Sequence, residues 1–215
     1  MIAFSGLDGA GKSTQIDLMT NIYSRNNKKS IVFWCRGGYS PGMLYAKSFF
    51  IKKKTNAASS NKSEIISRNK QFSNSFVRKT WLFLSILDLI FFFSIYIRVK
   101  EFFGVKIICD RYVFDTLIDF RLNFPQEQVD KWLIWKLLCY LSVKPLKHFV
   151  LTVSVEESQR RSKIKNEPFP DSQETLEKRL KNYLNFVEAN KFMVHIDGSN
   201  SIEYIHNIII KEVLI

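Results

Sequence analysis

The sequence is poor in residues that cross-link chains or chelate metals. It holds three cysteines (Cys35, Cys109, Cys139) and three histidines (His148, His195, His206) in 215 residues. The cysteines are odd in number, and neither set has the spacing of a metal site. A disulfide framework and a Cys/His metal centre are therefore set aside. No internal repeat, collagen-like triplet or heptad run occurs, which removes solenoids, triple helices and coiled coils. A glycine loop begins at Gly6, so no secretory leader is expected ahead of it. The setting implied is cytoplasmic and reducing, with thiols that are simply buried. Acidic residues are also scarce: 20 against 32 basic ones, for a formal charge of +12. That excess suits a polyanion (nucleotide, nucleic acid or anionic membrane face), or simply a solvated basic surface around a phosphate site.

What is present fits one α/β domain over residues 1–215, with 46% hydrophobic residues to fill a core. Short apolar runs read as five strands: "MIAFSG", "SIVFWCRGG", "GVKIICDRY", "HFVLTVS" and "KFMVHIDGS". Helical patterns lie between them. "KSTQIDLMTNIYSRNNKK" follows the first strand, and a long helix is expected over about 64–99, broken once. "VDKWLIWKLLCYL", "SVEESQRRSKIKNE", "ETLEKRLKNYLNFVEAN" and "SIEYIHNIIIKEVLI" complete the set. Residues 52–64 are small and polar and read as a loop. Strand–helix alternation predicts a three-layer fold, a five-stranded parallel sheet with helices on both faces. Ligands of such sheets sit at the carboxyl ends of the strands.

Two charged constellations fall at those ends. Gly6, Gly11, Lys12 and Ser13 satisfy G-x-x-x-x-G-K-S/T between a strand and a helix. The glycines let backbone N–H groups wrap an anion at a helix N-terminus; the Lys reaches the β- and γ-phosphates and the Ser hydroxyl can ligate Mg²⁺. Gly6, Gly9, Ala10, Gly11, Lys12, Ser13 and Thr14 form the expected nucleotide cradle. Asp110-Arg111-Tyr112 closes the strand "VKIIC". A carboxylate there can hold the water shell of Mg²⁺, and the Arg can clamp a phosphate in two-pronged fashion; a structural Asp–Arg pair is the alternative.

With these residues the chain resembles the thymidylate kinases, nucleoside monophosphate kinases with a P-loop NTPase fold. "GLDGAGKSTQ" is similar to that family's donor loop, "IICDRY" to its D-R-Y/H motif, "VSVEESQRRSKIKNE" to its short basic lid (about 156–172), and "HIDGSNSIEYIHNII" to its last strand and helix. The resemblance implies Mg²⁺-dependent transfer of the γ-phosphoryl of ATP to an acceptor phosphate, and a homodimer. It makes Asp8 a contact to the acceptor sugar, Arg111 the acceptor-phosphate clamp, and Asp110, with Ser13, the magnesium side. Gly9 stands where one branch of the family has Arg, so the catalytic cation is expected from the lid, which offers Arg160, Arg161, Lys163 and Lys165. Arg161 aligns best by its spacing from Val155 and Glu156. Arg36 resembles the Arg of the family's R-E-P-G-G turn, altered here to "CRGGYSPG". Tyr112, Ser85 and Asp88 complete the acceptor-side set, and Tyr183 follows the lid where the family often has Tyr.

The chain departs from the family in the helix ahead of the D-R-Y strand. The family carries F-x-x-D-R there, with its Arg bonding thymine and its Phe stacking on the ring. Asp88 keeps the Asp, but Leu89 stands for the Arg, Ser85 for the Phe, and Phe91 for a further polar residue. Either the match slips here, with Phe83 and Arg78 nearby, or the thymine pocket is gone and the acceptor is another base or another phosphate. A site without those donors cannot discriminate a base edge strongly.

"WLFLSILDLIFFFSIYI" (81–97) has one charge in 17 residues and would be ~26 Å long as a helix. Asp88 at its middle would be costly in lipid, so burial in the core or a dimer interface is expected. The flanking Arg78, Lys79, Arg98 and Lys100 keep a membrane surface as the other option. No stable nucleic-acid complex is expected. Trp132 and Trp135 read as core, and the histidines as surface or core fillers.

Overall fold

A computed structural model describes residues 1–35, 72–166 and 170–214. Arg36, the expected loop 52–64 and the start of the helix expected from residue 64 lie outside the described residues. Five strands, β1 (Ile2–Gly6), β2 (Ser30–Trp34), β3 (Lys106–Asp110), β4 (His148–Thr152) and β5 (Met193–Asp197), form one all-parallel sheet in the order β2-β3-β1-β4-β5. The register sets Phe4 beside Asp110 and Gly6 beside Leu151. The β1 end, which opens into the glycine loop, is thus flanked by the ends of β3 and β4. Every residue of β1 and β4 is buried, which is why these strands read as unbroken apolar runs rather than alternating ones.

The strand period of two divides the core. Ile2, Phe4 and Ile108 face one side, packing with Ile16 and Met19 of α1 (Lys12–Arg25) and with Tyr183, Ile205 and Ile209 further along the chain. Ala3, Ile107 and Cys109 face the other, against Leu82, Ile86, Leu89, Phe93 and Ile97. Helices on both faces of the sheet give the three-layer α/β architecture of P-loop kinases. Eight α-helices occur among the described residues.

The apolar stretch is one continuous helical rod over Ser75–Phe102. It comprises α2 (Ser75–Ile90), a π-helical turn (Phe91–Tyr96) and α3 (Ile97–Phe102). Asn74 caps its start by accepting from the Phe76 N–H at 2.9 Å. The expected break is not found, because the rod is continuous. Its π-turn leaves carbonyls for other donors: the Val143 N–H bonds the Phe93 carbonyl at 2.9 Å, and Arg98 bonds that of Ser94 at 2.6 Å. The rod has two apolar faces. Leu82, Ile86, Leu89, Phe93 and Ile97 are wholly buried, while Phe83, Leu87, Phe91, Ile95 and Val99 form an exposed stripe at four-residue spacing. By length and composition the rod could cross a membrane; its inner face is instead packed against β3 and α5 (Leu133–Leu141).

The sequence pattern assigned no element to residues 113–123, where α4 (Val113–Asn123) forms. The lid region begins as α6 (Val155–Ile164), started by Ser154 accepting from the Glu157 N–H. The chain then runs to α7 (Gln173–Ala189) and, after β5, α8 (Ile202–Leu214).

Candidate active site

The glycine loop leaves β1 at Gly6 and enters α1 at Lys12, so the first N–H groups of α1 face the carboxyl end of the sheet. Lys12 folds back over the loop. Its Nζ donates to the Leu7 carbonyl at 2.6 Å and the Gly6 carbonyl at 3.1 Å, and lies 4.0 Å from the Asp8 carboxylate. Burial, helped by the Arg111 charge, pulls its pKa down to about 8. An anion would remove this penalty, since an opposite charge favours the charged form.

Two close approaches fix the shape of the loop. A Cβ on Gly9, which sits at φ +76°, would lie 2.9 Å from the Cβ of Arg161 on α6. A Cβ on Gly198, just after β5, would lie 2.5 Å from the Ala10 carbonyl. Neither approach leaves room for a side chain, so α6 and the β5–α8 turn are seated on the loop backbone.

A cleft of about 230 Å³ opens in front of the loop, lined by Asp8, Gly9, Gly11, Lys12, Ser13, Trp34, Asp110, Arg111 and Lys165. A second, of about 280 Å³, adjoins it across Gly9 and Gly11, with Thr14, Gln15, Arg161, Lys165, Gly198, Asn200, Ile202 and Ile205. Asp110 and Ser13 meet in the first cleft. The Asp110 Oδ1 atom is buried and has no hydrogen-bond partner. Burial raises the Asp110 pKa although Lys12 and Arg111 oppose the shift. No group of three or more His, Cys, Asp or Glu side chains converges among the described residues. An unpartnered carboxylate oxygen beside a hydroxyl and a phosphate cradle suits Mg²⁺, which keeps waters and takes phosphate oxygens rather than a protein cage.

Arg111 adopts φ +81°, a left-handed conformation rare outside glycine. Its N–H bonds the Phe4 carbonyl at 2.9 Å. Nη1 donates to the Gly6 carbonyl at 2.8 Å, the Tyr183 hydroxyl at 2.9 Å and Asp115 Oδ1 at 3.2 Å; Nη2 pairs with Asp8.

Sequence reasoning brings Gly9, Gly11, Lys12, Ser13, Asp8, Asp110 and Arg111 to one cleft, and the structure places them there. Gly6 and Ala10 are backbone members of the loop, and Thr14 lines the neighbouring cleft. Arg161 lines only that second cleft. Its Nη1 donates to the Gly9 and Gly198 carbonyls, both at 3.0 Å, and its Nε pairs with Glu157 at 2.6 Å. Lys165, one helical turn on, lines both clefts. The Tyr112 side chain is turned into the core instead of the cleft: its hydroxyl donates to the Val143 carbonyl at 2.7 Å and its ring meets Phe93 and His148. Ser85 is wholly buried, its hydroxyl returned to the Trp81 carbonyl at 2.8 Å, and Leu89 is likewise sealed. Neither lines either of these two clefts. Asp88 is half-buried on the same helix. Burial first and the Asp88 charge second push the Cys35 thiol, next after β2, up to about 12.

Sequence reasoning missed Asp115 and Trp34. Asp115 lies four residues after Arg111, the spacing at which side chains on a helix meet, and that was its only signal.

Among curated proteins, the chain is similar to a thymidylate kinase of Plasmodium falciparum (isolate 3D7). The two are 27% identical over 222 aligned positions, covering 99% of this chain and 88% of that protein. No family model matches the chain.

Proposed function

We propose that this protein is an ATP-dependent kinase that phosphorylates a phosphorylated small molecule, first among such acceptors a nucleoside monophosphate. The observation that carries this reading is the single cleft in which Lys12, Ser13, Arg111 and the unpartnered Asp110 oxygen converge at the N-terminus of α1. The thymidylate kinase likeness along nearly the whole chain supports it.

In this reading the loop from Gly6 to Thr14 holds the donor phosphates, and the nucleoside of ATP occupies the second cleft. Ser13 and Asp110 would hold Mg²⁺, which would supply charge neutralisation at the transferring phosphoryl group. An acceptor phosphate oxygen bonds to the γ-phosphorus, the bond to the β,γ-bridging oxygen breaks, and ADP leaves. Lys12 and Arg111 set cations on the donor and acceptor sides, which is most of what this chemistry asks of a protein. Lys165, common to both clefts, is the lid cation of the transfer. Arg161, bonded to the loop and to Gly198, orients the donor. Asp8, paired with Arg111, meets the acceptor sugar.

Thymine is not read by Ser85 or Leu89, which are buried in hydrocarbon, so thymidylate is not singled out from other acceptors on their account. The exposed stripe on the rod is the face on which a second copy would pack. Liposome flotation separates that use from membrane docking: a protein that stays in the aqueous fraction opposes the latter. The activity itself is tested with ATP, Mg²⁺ and a panel of nucleoside monophosphates and phosphosugars. Acceptor-dependent ADP formation is expected; ADP release independent of every acceptor contradicts the reading.

A further inference from the structure

Arg111 is held by more than the cleft. Its Nη1 group has two protons and three acceptors, the Gly6 carbonyl, the Tyr183 hydroxyl and Asp115, and all of them lie behind the cleft wall. Its Nη2 group points the other way, to Asp8, whose side chain is 38% exposed against 2% for Asp115. The guanidinium therefore has an anchored edge and a presented edge. Asp115 is also the hub of what surrounds the anchored edge. Its Oδ1 accepts from Tyr183 at 2.7 Å; its Oδ2 accepts from the Tyr112 N–H at 2.8 Å and from the Ser5 hydroxyl, which contacts His148 Nε2 at 2.7 Å. Burial disfavours the charge on Asp115, but Arg111, Ser5, the Tyr112 N–H and Tyr183 outweigh it, and the carboxyl stays below its usual range.

From this geometry we infer that Asp115 is a positioning residue: a buried carboxylate that clamps one edge of Arg111, and, with Tyr183, holds the other edge at the cleft to meet an acceptor phosphate. A long Arg side chain with only the half-exposed Asp8 for a partner would have a choice of rotamers. With Asp115 behind it, it has one. The left-handed backbone of Arg111 is itself strained, which such an anchor helps to offset. The inference rests on the kinase reading for its kinetic consequence, but not for the anchoring.

Two variants test it. Asp115→Asn keeps size but removes the charge and replaces one accepting oxygen with a donor amide, so the Arg111 and Tyr183 pair or the Tyr112 N–H and Ser5 pair loses its acceptor. Tyr183→Phe removes one hydroxyl and leaves the Asp115–Arg111 pair. In the kinase assay, Asp115→Asn should lower kcat/KM for the acceptor by about 100-fold, the scale of a misplaced catalytic group, while the KM for ATP moves by less than about threefold. Tyr183→Phe should show the same split at roughly tenfold. If Asp115→Asn does not fold, Tyr183→Phe decides. Equal losses toward ATP and acceptor, or no loss, overturn the inference. Arginine side-chain NMR reads the anchoring without turnover. The Arg111 N–H signals should be slowly exchanging in the wild type and broadened in Asp115→Asn, even if no acceptor is ever phosphorylated. Unchanged Arg111 signals in that variant refute the clamp outright.

Discussion

The phosphate cradle lies at the carboxyl end of the sheet and the apolar rod packs along one of its faces, and they follow opposite rules. In the cradle, charge is concentrated and each charged group has a set of neighbours: Lys12 on two loop carbonyls, Arg111 between Asp8 and Asp115. In the rod, Ser85 and Leu89, the two positions that the resemblance sets against the family's thymine-reading Phe and Arg, are sealed in the core. The donor half of the site is thus built from polar atoms aimed into a cleft, and the rod offers the acceptor base nothing comparable from those positions. Machinery for moving a phosphoryl group depends on a few charges fixed in space. Base selection depends on donors that would be left unpaired by the wrong base. One can be kept while the other is filled with hydrocarbon.

The largest expected effects break the cradle. Lys12→Ala should cut kcat by at least about 100-fold, as loss of one transition-state charge partner does, with circular dichroism unchanged; undiminished turnover would contradict the donor-loop assignment. Arg111→Ala should lower kcat/KM for the acceptor by about 100-fold while ATP affinity stays within about threefold. A parallel loss of ATP binding would move Arg111 to the donor side. Arg161 lines only the second cleft and Lys165 lines both. Lys165→Ala should act on kcat by about tenfold or more, and Arg161→Ala mainly on the KM for ATP; the reverse pattern would restore Arg161 as the transferring cation.

On the rod, Leu89→Arg, which installs the family's thymine-bonding residue, should destabilise the fold instead of creating a pocket. The cost expected for an uncompensated buried charge is about 3–5 kcal/mol, or roughly 6–20 °C in Tm. An undiminished Tm with new thymidylate selectivity would show that the position can open to the cleft.

The smallest effect is a pH dependence. Burial and the Arg111 charge pull the Lys12 pKa from its ordinary 10.5 down to about 8. Because the folded value is the lower one, the unfolded chain holds more protons between pH 8 and 10.5, and Lys12 contributes a stability that rises through that window. ATP affinity should move the other way, weakening as pH climbs past 8 and the ammonium is lost. Calorimetric titration with ATP from pH 7 to 9.5 measures this; an affinity flat across that range would mean that Lys12 does not meet the phosphates.

Much of this was legible in the chain itself, for a physical reason. The cradle is eight consecutive residues from Gly6 to Ser13, and Asp110-Arg111 closes the next buried strand inward, so local pattern suffices. The inner strands β1 and β4 were legible because a parallel sheet buries them on both faces. The two faces of the rod were not, because both are apolar and only packing tells Leu89 from Leu87. The π-turn depends on Val143, about fifty residues away along the chain. Arg161 and Lys165 stand four residues apart, about 6 Å of helix rise, and that single turn brings Lys165 to both clefts while Arg161 reaches only the second. Asp115 was invisible as a partner until α4 set it behind Arg111.

The most direct measurement is acceptor selectivity: kcat/KM for thymidylate against the other nucleoside monophosphates, with purified protein, ATP and Mg²⁺. A working cradle without a thymine pocket predicts acceptor-dependent ADP formation in which thymidylate lies within about tenfold of the best alternative, since size and shape alone discriminate little. A preference for thymidylate above about 100-fold would show that polar recognition of the base survives elsewhere in the site, and would contradict the account.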